Sequence, residues 1–139
     1  MKYKQLGNKI ILRIDKGEEI VQSLTSLCRN MNIKAGTITG IGATNKATIG
    51  IFKTETKQFI STEFVGDYEI TALNGNITTM NNKVYLHIHL SIGDINHQLF
   101  GGHLTSAFVS ATFEGIIDII NHPIQRVYDS ETRLNLLEI

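Results

Sequence analysis

Apolar residues recur most regularly at helical spacing between residues 18 and 31. The apolar positions there are Ile20, Val21, Leu24, Leu27, Cys28 and Met31. They lie one, three or four positions apart, which places them on one face of a helix. Asp15 precedes the segment as a cap, and Glu18, three residues later, has the spacing of a capping box. The pattern predicts one N-terminal helix with Cys28 packed on its buried face, after a short strand over residues 9–14.

Beyond Asn32 the chain consists of short runs rich in β-branched and aromatic residues, separated by Gly, Asn and Asp. Such runs predict strands over 35–41, 46–53, 57–65, 68–79, 83–92, 97–100, 107–119, 125–128 and 133–138. Asn81 and Asn82 separate two long alternating runs and predict a tight hairpin, because Asn tolerates the left-handed backbone conformation of such turns. Pro123 marks the end of the last long strand.

One helix followed by many strands joined by short turns is typical of an α+β fold. Repeated helical crossovers, which a parallel sheet requires, are missing from the pattern, so we expect a mostly antiparallel sheet. The 139 residues correspond to about one domain, and no linker, repeat or low-complexity segment divides them. We therefore expect a single domain over residues 1–139.

Charge and cysteine content narrow the classes of function. Thirteen Lys and Arg residues balance thirteen Asp and Glu residues, so the chain lacks the positive charge on which non-specific nucleic-acid binding depends. The single cysteine cannot form an internal disulfide, and the first ten residues lack the apolar stretch of a signal peptide. No apolar run approaches the ~20 residues that cross a bilayer. These features lead us to expect a soluble, cytoplasmic protein with no membrane partner.

The histidines form the main chemical signal. They are His87, His89, His97, His103 and His122. Residues two apart on a strand point to the same side, about 6.6 Å apart, so His87 and His89 can face one ion. His103 joins them if the chain turns back at residues 93–96 and the glycines at 101 and 102 allow a close approach.

Three neutral imidazoles that leave one position open form the ligand set of several catalytic zinc centres. The alternative from spacing alone is that the histidines are polar positions on a solvated strand face or at an oligomer interface. His97 is expected in the turn and His122 at a strand end, both as surface residues.

The sequence gives weaker signals for an acid or base residue and for a nucleotide site. A zinc centre that hydrolyses or decarboxylates usually needs an acid or base that is not a tight ligand, and Glu69 and Glu114 are the candidates. Either carboxylate could instead face water on an exposed sheet face. The glycines at 36, 40 and 42 and at 101 and 102 match neither a phosphate loop nor a dinucleotide fingerprint, so no nucleotide site is predicted.

A set of ordered segments carries a family resemblance over nearly the whole chain. The segments are Gly40-Ile41-Gly42-Ala43, Gly50-Ile51-Phe52, Glu69-Ile70, Leu73-Asn74-Gly75-Asn76-Ile77, His87-x-His89, Gly101-Gly102-His103-Leu104 and Tyr128-Asp129-x-Glu131-Thr132-x-Leu134-Asn135. Together they resemble the PPC domain, which is named for its occurrence in plants and prokaryotes, in its stand-alone prokaryotic form.

The resemblance implies a compact α+β fold, a homotrimer and a metal site at His87, His89 and His103. In plants the domain is attached to AT-hooks that bind DNA, but this sequence contains no Arg-Gly-Arg-Pro core. The DNA-binding property therefore does not carry over by residue. The fold is also similar to that of acetolactate decarboxylase and of a zinc-dependent ester hydrolase, which is an analogy of fold alone.

Two functions follow from the sequence. The first is a non-catalytic, homotrimeric assembly or regulatory module that binds a divalent metal, expected to be zinc, and contacts a protein partner or, weakly, DNA. The second is a small zinc enzyme in which His87, His89 and His103 hold the ion and Glu69 serves as acid or base. A structural zinc site is usually closed by four protein ligands, whereas an open position beside a carboxylate favours catalysis. We favour the module.

Overall fold

The computed structural model describes all residues from 1 to 139. It contains eight strands and one helix: β1 (Lys2–Leu6), β2 (Lys9–Asp15), α1 (Ile20–Asn30), β3 (Gly36–Lys53), β4 (Gln58–Met80), β5 (Lys83–Gly93), β6 (Leu99–Ile119), β7 (Arg126–Asp129) and β8 (Leu134–Leu137). The α+β fold class with one N-terminal helix is confirmed. No helix is long and apolar enough to cross a membrane.

Six strands form one antiparallel sheet in the order β1-β2-β6-β3-β4-β5, and β5 pairs again with β6. The second pairing closes β6, β3, β4 and β5 on themselves. Strand β6 makes this possible because its C-terminal half pairs with β2 and its N-terminal end pairs with β5. Strands β7 and β8 form a separate two-stranded hairpin, which a single bridge between Thr79 and Gln125 joins to β4.

The long strands correct several predicted boundaries. The segments predicted as 35–41 and 46–53 form one strand, β3, and the pairs 57–65 with 68–79 and 97–100 with 107–119 likewise merge into β4 and β6. Register shifts at Gly40/Gly42 and Thr44/Lys46 interrupt the alternation of side chains while the strands continue to pair. Such bulges make one bent strand look like two in sequence. Strand β1 is not predicted from the sequence, because all five of its residues are exposed and it has no buried face that would give an alternating pattern.

The hairpin at residues 81 and 82 is confirmed. Asn81 and Asn82 have φ values of 51° and 61°, and they connect β4 to β5 in direct antiparallel register. Both values lie in the left-handed region that Asn adopts more readily than most residues. The turn therefore sets which side chains of β5 face the core.

The helix begins later than predicted, and its cap is Glu19 rather than Asp15. The Glu19 carboxylate accepts hydrogen bonds from the backbone N–H groups of Val21 and Gln22, and also from Ala107 on β6. Glu18 does accept from the N–H of Asp15 at 2.8 Å, but that bond lies in a turn before the helix. Gly17, with φ of 86°, takes the chain off the helical path there. Cys28 is fully buried, as predicted.

The hydrophobic core lies between α1 and the inner face of the sheet. On β5 the core residues are Ile88, Leu90 and Ile92, each at most 2% exposed. Since side chains alternate along a strand, the residues between them face the opposite side of the sheet. Burial of these isoleucines and leucines, at ~1.5–3 kcal/mol each, therefore also determines where His87 and His89 point.

The glycines of β3 serve close packing between strands. A Cβ atom on Gly42 would overlap the carbonyl oxygen of Thr112 on β6, and one on Gly40 would overlap the ring of Phe113. Phe113 is fully buried, so the ring cannot move aside into solvent. These glycines thus have a packing role.

We expect Gly42→Ala to lower the free energy of unfolding by about 1–3 kcal/mol, because the added methyl group must displace the backbone of β6. Urea denaturation at neutral pH measures this. The control is Gly93→Ala, where the nearest atoms to a new Cβ are side-chain carbons of Leu99 and Thr71 at 3.4 and 3.6 Å. Equal stability of the two variants would contradict the packing role.

Candidate metal centre

The pairing of β5 with β6 brings together the three histidines singled out in the sequence. His89 lies directly opposite His103, and His87 lies two residues away along β5 on the same face. On the other side of β6, His103 lies opposite Gly50 of β3. The three imidazoles therefore sit where three strands meet, on the face of the sheet opposite the core.

Local geometry explains why the chain can turn back at this point. Between β5 and β6 the Asp94 carboxylate accepts hydrogen bonds from the N–H groups of Asn96 and Gln98, at 2.9 and 2.8 Å. His97 lies in this turn with φ of 62° and is exposed, as predicted. Gly102 has φ of 157°, and a Cβ atom there would lie 2.5 Å from the carbonyl oxygen of Gly50. A glycine before His103 is thus required for β6 to approach β3.

The three rings form a compact cluster. The ring centroids are 5.2 Å apart for His87–His89 and His87–His103, and 5.7 Å apart for His89–His103. One nitrogen of each ring lies within 4.8 Å of the others. His87 and His103 are half-buried, and His89 is exposed. The edge of the Phe59 ring packs on His103, with centroids 5.7 Å apart, which limits rotation of that imidazole.

A cavity of about 580 Å³ lies over the histidines. Its floor is formed by the cluster, and its walls come from the C-terminal end of β3, the start of β4 and the β7–β8 hairpin. The apolar side chains of the walls are Ile51, Phe52, Phe59, Leu134 and Leu136. No aspartate or glutamate lines the cavity. The site is therefore open on one side and bounded by hydrocarbon.

Arg126, at the start of β7, is a residue of the site that the sequence did not reveal. Its Nε donates to Thr78 Oγ1 at 2.9 Å, its Nη1 to the carbonyl oxygen of Asn135 at 2.7 Å and its Nη2 to Asn76 Oδ1 at 2.5 Å. Nη2 also lies 3.5 Å from Nδ1 of His87. Nothing in the local sequence distinguishes Arg126 from a surface arginine, since its position depends on how the hairpin docks against β4.

Burial and neighbouring charge keep the rings of His87 and His103 neutral. Burial, together with smaller effects of the Arg126 guanidinium and the other two histidines, lowers the pKa of His87 to about 4. Burial, with a smaller effect of His89, also lowers the pKa of His103. A neutral imidazole has a free lone pair, which is the form that binds a metal ion.

The two candidate carboxylates lie elsewhere. Glu69 on β4 pairs with Ala43 of β3 and Gly93 of β5, and the β4 residue opposite His89 is Asn74, five positions further along. Glu114 lies on β6 opposite Arg13 and Ile41. Both line a shallow groove of about 470 Å³ that contains none of the three histidines. A single chain thus brings the histidines together but does not bring Glu69 to them.

The donor set fits a divalent transition metal. Three imidazole nitrogens from a rigid sheet, with no further protein ligand lining the cavity, match centres that keep a coordination position open. Imidazole suits zinc, copper, nickel and iron, so the donor set selects a class of ion rather than one metal.

Solved structures share the entire fold. A candidate DNA-binding protein from Bacteroides thetaiotaomicron is 36% identical, with a TM-score of 0.96 over 99% of this chain and 96% of that one. A metal-containing protein from Archaeoglobus fulgidus is 30% identical, with a TM-score of 0.88 over all of both chains. The plant- and prokaryote-conserved protein of Pyrococcus horikoshii is 28% identical, with a TM-score of 0.87 over 99% and 95%.

Two further proteins are similar to this chain either in fold alone or over a small part of their own length. A Staphylococcus aureus protein described as similar to α-acetolactate decarboxylase has 12% identity and a TM-score of 0.59 over 90% of this chain and 56% of that one, which supports the expected fold alone. The bifunctional protein GlmU of Synechococcus sp. (strain JA-2-3B'a(2-13)) is 29% identical over 94 residues. That segment is 67% of this chain but only 14% of GlmU.

The family model of the Plants and Prokaryotes Conserved (PCC) domain matches residues 1–121, which include all three clustered histidines. This match and the solved structures agree with the order of segments noted in the sequence. The chain therefore belongs to the Plants and Prokaryotes Conserved domain family.

Proposed function

We propose that this chain is a stand-alone PCC-domain protein that acts as a homotrimeric, metal-binding assembly or regulatory module associated with DNA or transcription. The observation that carries the proposal is the cluster of His87, His89 and His103 at the floor of an open cavity. Similar proteins described as metal-containing and as candidate DNA-binding proteins support it.

In this proposal His87, His89 and His103 hold one zinc ion. Zinc binds neutral imidazole, and the lowered pKa values of His87 and His103 mean that no proton competes for these rings at pH 7. A bound zinc ion supplies Lewis acidity at its open position. The chain's own contribution is to hold the rings on two paired strands and to surround them with apolar walls.

Assembly is supported by large apolar side chains that the single chain leaves exposed. On β3 and β4, outside the cavity, these are Ile41, Ile60 and Val65, each 43–68% exposed. Exposed apolar patches on neighbouring strands are typical of surfaces buried between subunits. A homotrimer would cover them.

The alternative is a small zinc-dependent hydrolase or decarboxylase with Glu69 as acid or base. The open cavity above the histidines favours it, but no carboxylate of the same chain lines that cavity. Glu69 would therefore act there only if another subunit brought its own Glu69 to the cavity. For this reason the module remains the first proposal.

The association with DNA is proposed to be indirect or weak. The chain carries equal numbers of basic and acidic residues, and it has no AT-hook core. Phosphate contacts from clustered lysine and arginine provide most of the affinity in non-specific DNA binding. The module would thus reach DNA through a partner rather than by its own charge.

Metal content tests the centre directly. We expect the purified protein to hold about one metal ion per chain, and the His87→Ala/His89→Ala variant to hold none, with both proteins about three times the mass of the 15.5 kDa chain in solution. Elemental analysis and native mass spectrometry measure these. The matched control is His97→Ala/His122→Ala, which removes two exposed histidines. Absence of metal from all samples after zinc reconstitution would refute the centre, and a monomeric mass would refute the trimer.

DNA affinity tests the proposed indirect association. At ~0.15 M salt we expect the isolated protein to bind an A/T-rich duplex no more tightly than ~10⁻⁶–10⁻⁴ M, the range of non-specific complexes. Fluorescence anisotropy with a G/C-rich duplex of equal length as comparison measures this. A nanomolar, sequence-dependent complex would show that the protein itself reads DNA.

Acid sensitivity tests the environment of His87 in the metal-free protein. Its pKa is about 4 in the fold and 6.5 ordinarily, so the unfolded chain binds more protons between these values. Stability should therefore fall as the pH decreases from 6.5 to 4. We expect His87→Gln, which cannot titrate, to lose less stability over this range, whereas the exposed His122→Gln should behave as the parent protein. Urea denaturation at several pH values measures this; an unchanged slope in His87→Gln would contradict the assignment.

A further inference from the structure

Arg126 is a buried cation without a carboxylate partner. It is 7% exposed, and no aspartate or glutamate forms an ion pair with it. A buried charge is costly unless it is paired or well hydrogen-bonded. All three oxygen atoms that accept from the guanidinium, on Thr78, Asn135 and Asn76, are uncharged. The positive charge of Arg126 is therefore not neutralised within the chain.

The contacts within the chain also leave one donor free. Arginine has five N–H groups; three of them have oxygen acceptors in the chain and Nη2 also lies 3.5 Å from Nδ1 of His87, so that one N–H of Nη1 has no acceptor. The guanidinium lines the same cavity as the three histidines and lies 5.0 Å from the centre of the Tyr85 ring. It is held in place from Thr78 on β4 and from Asn135 on β8. The remaining Nη1 donor thus belongs to a cavity-lining group whose orientation is already set.

The charges that line the cavity indicate which kind of ligand it would bind. A divalent ion on three neutral imidazoles beside a guanidinium would bring three positive charges to a cavity that no acidic residue lines. Apolar side chains line the rest of the cavity, namely Ile51, Phe52, Phe59, Leu134 and Leu136. One end of an occupant therefore meets positive charge, and the rest meets apolar surface.

We propose that this cavity binds a small monocarboxylate with an apolar body, whose carboxylate accepts a charge-assisted hydrogen bond from Arg126 next to the histidine cluster. This inference rests on the proposed metal centre for one of its charges, while the charge of Arg126 is independent of it. A guanidinium suits a carboxylate because the opposite charges strengthen the hydrogen bond. The apolar walls favour an organic acid over inorganic phosphate.

Part of the proposed carboxylate site lies in a segment outside the part of the chain that matches the family model. That match ends at residue 121, whereas Arg126 and the β7–β8 hairpin follow it. The hairpin supplies both the cation and two of the apolar walls. The ligand would accordingly be recognised jointly by the matched sheet and by this C-terminal segment.

The test is an NMR titration of butanoate into the zinc-loaded and metal-free proteins, with butanamide as a neutral probe of the same size and inorganic phosphate as a second anion. We expect butanoate, but not butanamide, to shift the Arg126 Nε–H resonance and the methyl groups of Leu134 and Leu136. Binding of butanamide as tight as that of butanoate, or tighter binding of phosphate, would overturn the proposal.

Variants separate the role of Arg126 from its structural role. Arg126→Gln should weaken butanoate at least about tenfold, the loss expected for a charge-assisted hydrogen bond, while Arg126→Lys should retain part of the affinity. Arg29→Gln, which removes an exposed arginine from the end of α1, is the charge-matched control and should bind as the parent does. Unchanged affinity in Arg126→Gln would overturn the proposal. If that variant does not fold, the comparison of butanoate with butanamide in the parent protein tests the proposal instead.

The two proposals fail in distinguishable ways. Zinc that loads normally while butanoate binds neither form would overturn the carboxylate site and leave the metal centre intact. Butanoate that binds the metal-free protein through Arg126 while no zinc loads would support the carboxylate site and overturn the metal centre.

Discussion

The antiparallel pairing of β5 with β6 is the constraint on which the rest of the structure depends. It closes β6, β3, β4 and β5 on themselves, and it is the contact that places His89 opposite His103. Strand β6 can join three neighbours because it has 21 residues, so that different halves serve β2 and β5 while β3 pairs along most of its length. The glycine at position 102 allows the close approach that this crowding requires. Without the closure, the histidines of the two strands would have no common site.

The alternation of side chains along β5 determines both the core and the candidate site. Each residue of β5 that packs under α1 forces its neighbours to the other face, so the burial of Ile88 and Leu90 keeps His87 and His89 directed at the cavity. The energy that holds the imidazoles in position thus comes mainly from hydrophobic burial on the opposite side of the strand. A rigid platform of this kind can hold a metal without large side-chain rearrangement, because the ligands lie on regular strands rather than on loops.

The electrostatics of the cavity set its chemistry apart from that of the surrounding surface. The chain as a whole is neutral, yet the cavity contains a buried arginine, three histidines and no acid. Burial lowers the pKa values of His87 and His103, and the buried charge of Arg126 has no acidic partner. This local excess of positive potential favours anions, although the total charge gives no indication of it.

The sequence by itself determined the fold class, the helix with its buried Cys28, the asparagine hairpin and the histidines that share one face. These are local properties, because side-chain periodicity and turn preferences depend on residues close along the chain. It did not reveal the bulges that join the predicted short strands into β3, β4 and β6, because pairing with neighbours on both sides keeps a bent strand continuous. The family resemblance named the three histidines as a set, but only the sheet register shows that Glu69 lies away from them. The position of Arg126 was decided entirely by tertiary structure. Its partners Asn76 and Thr78 lie 50 and 48 residues away, and a contact over that separation leaves no periodic signal in the sequence.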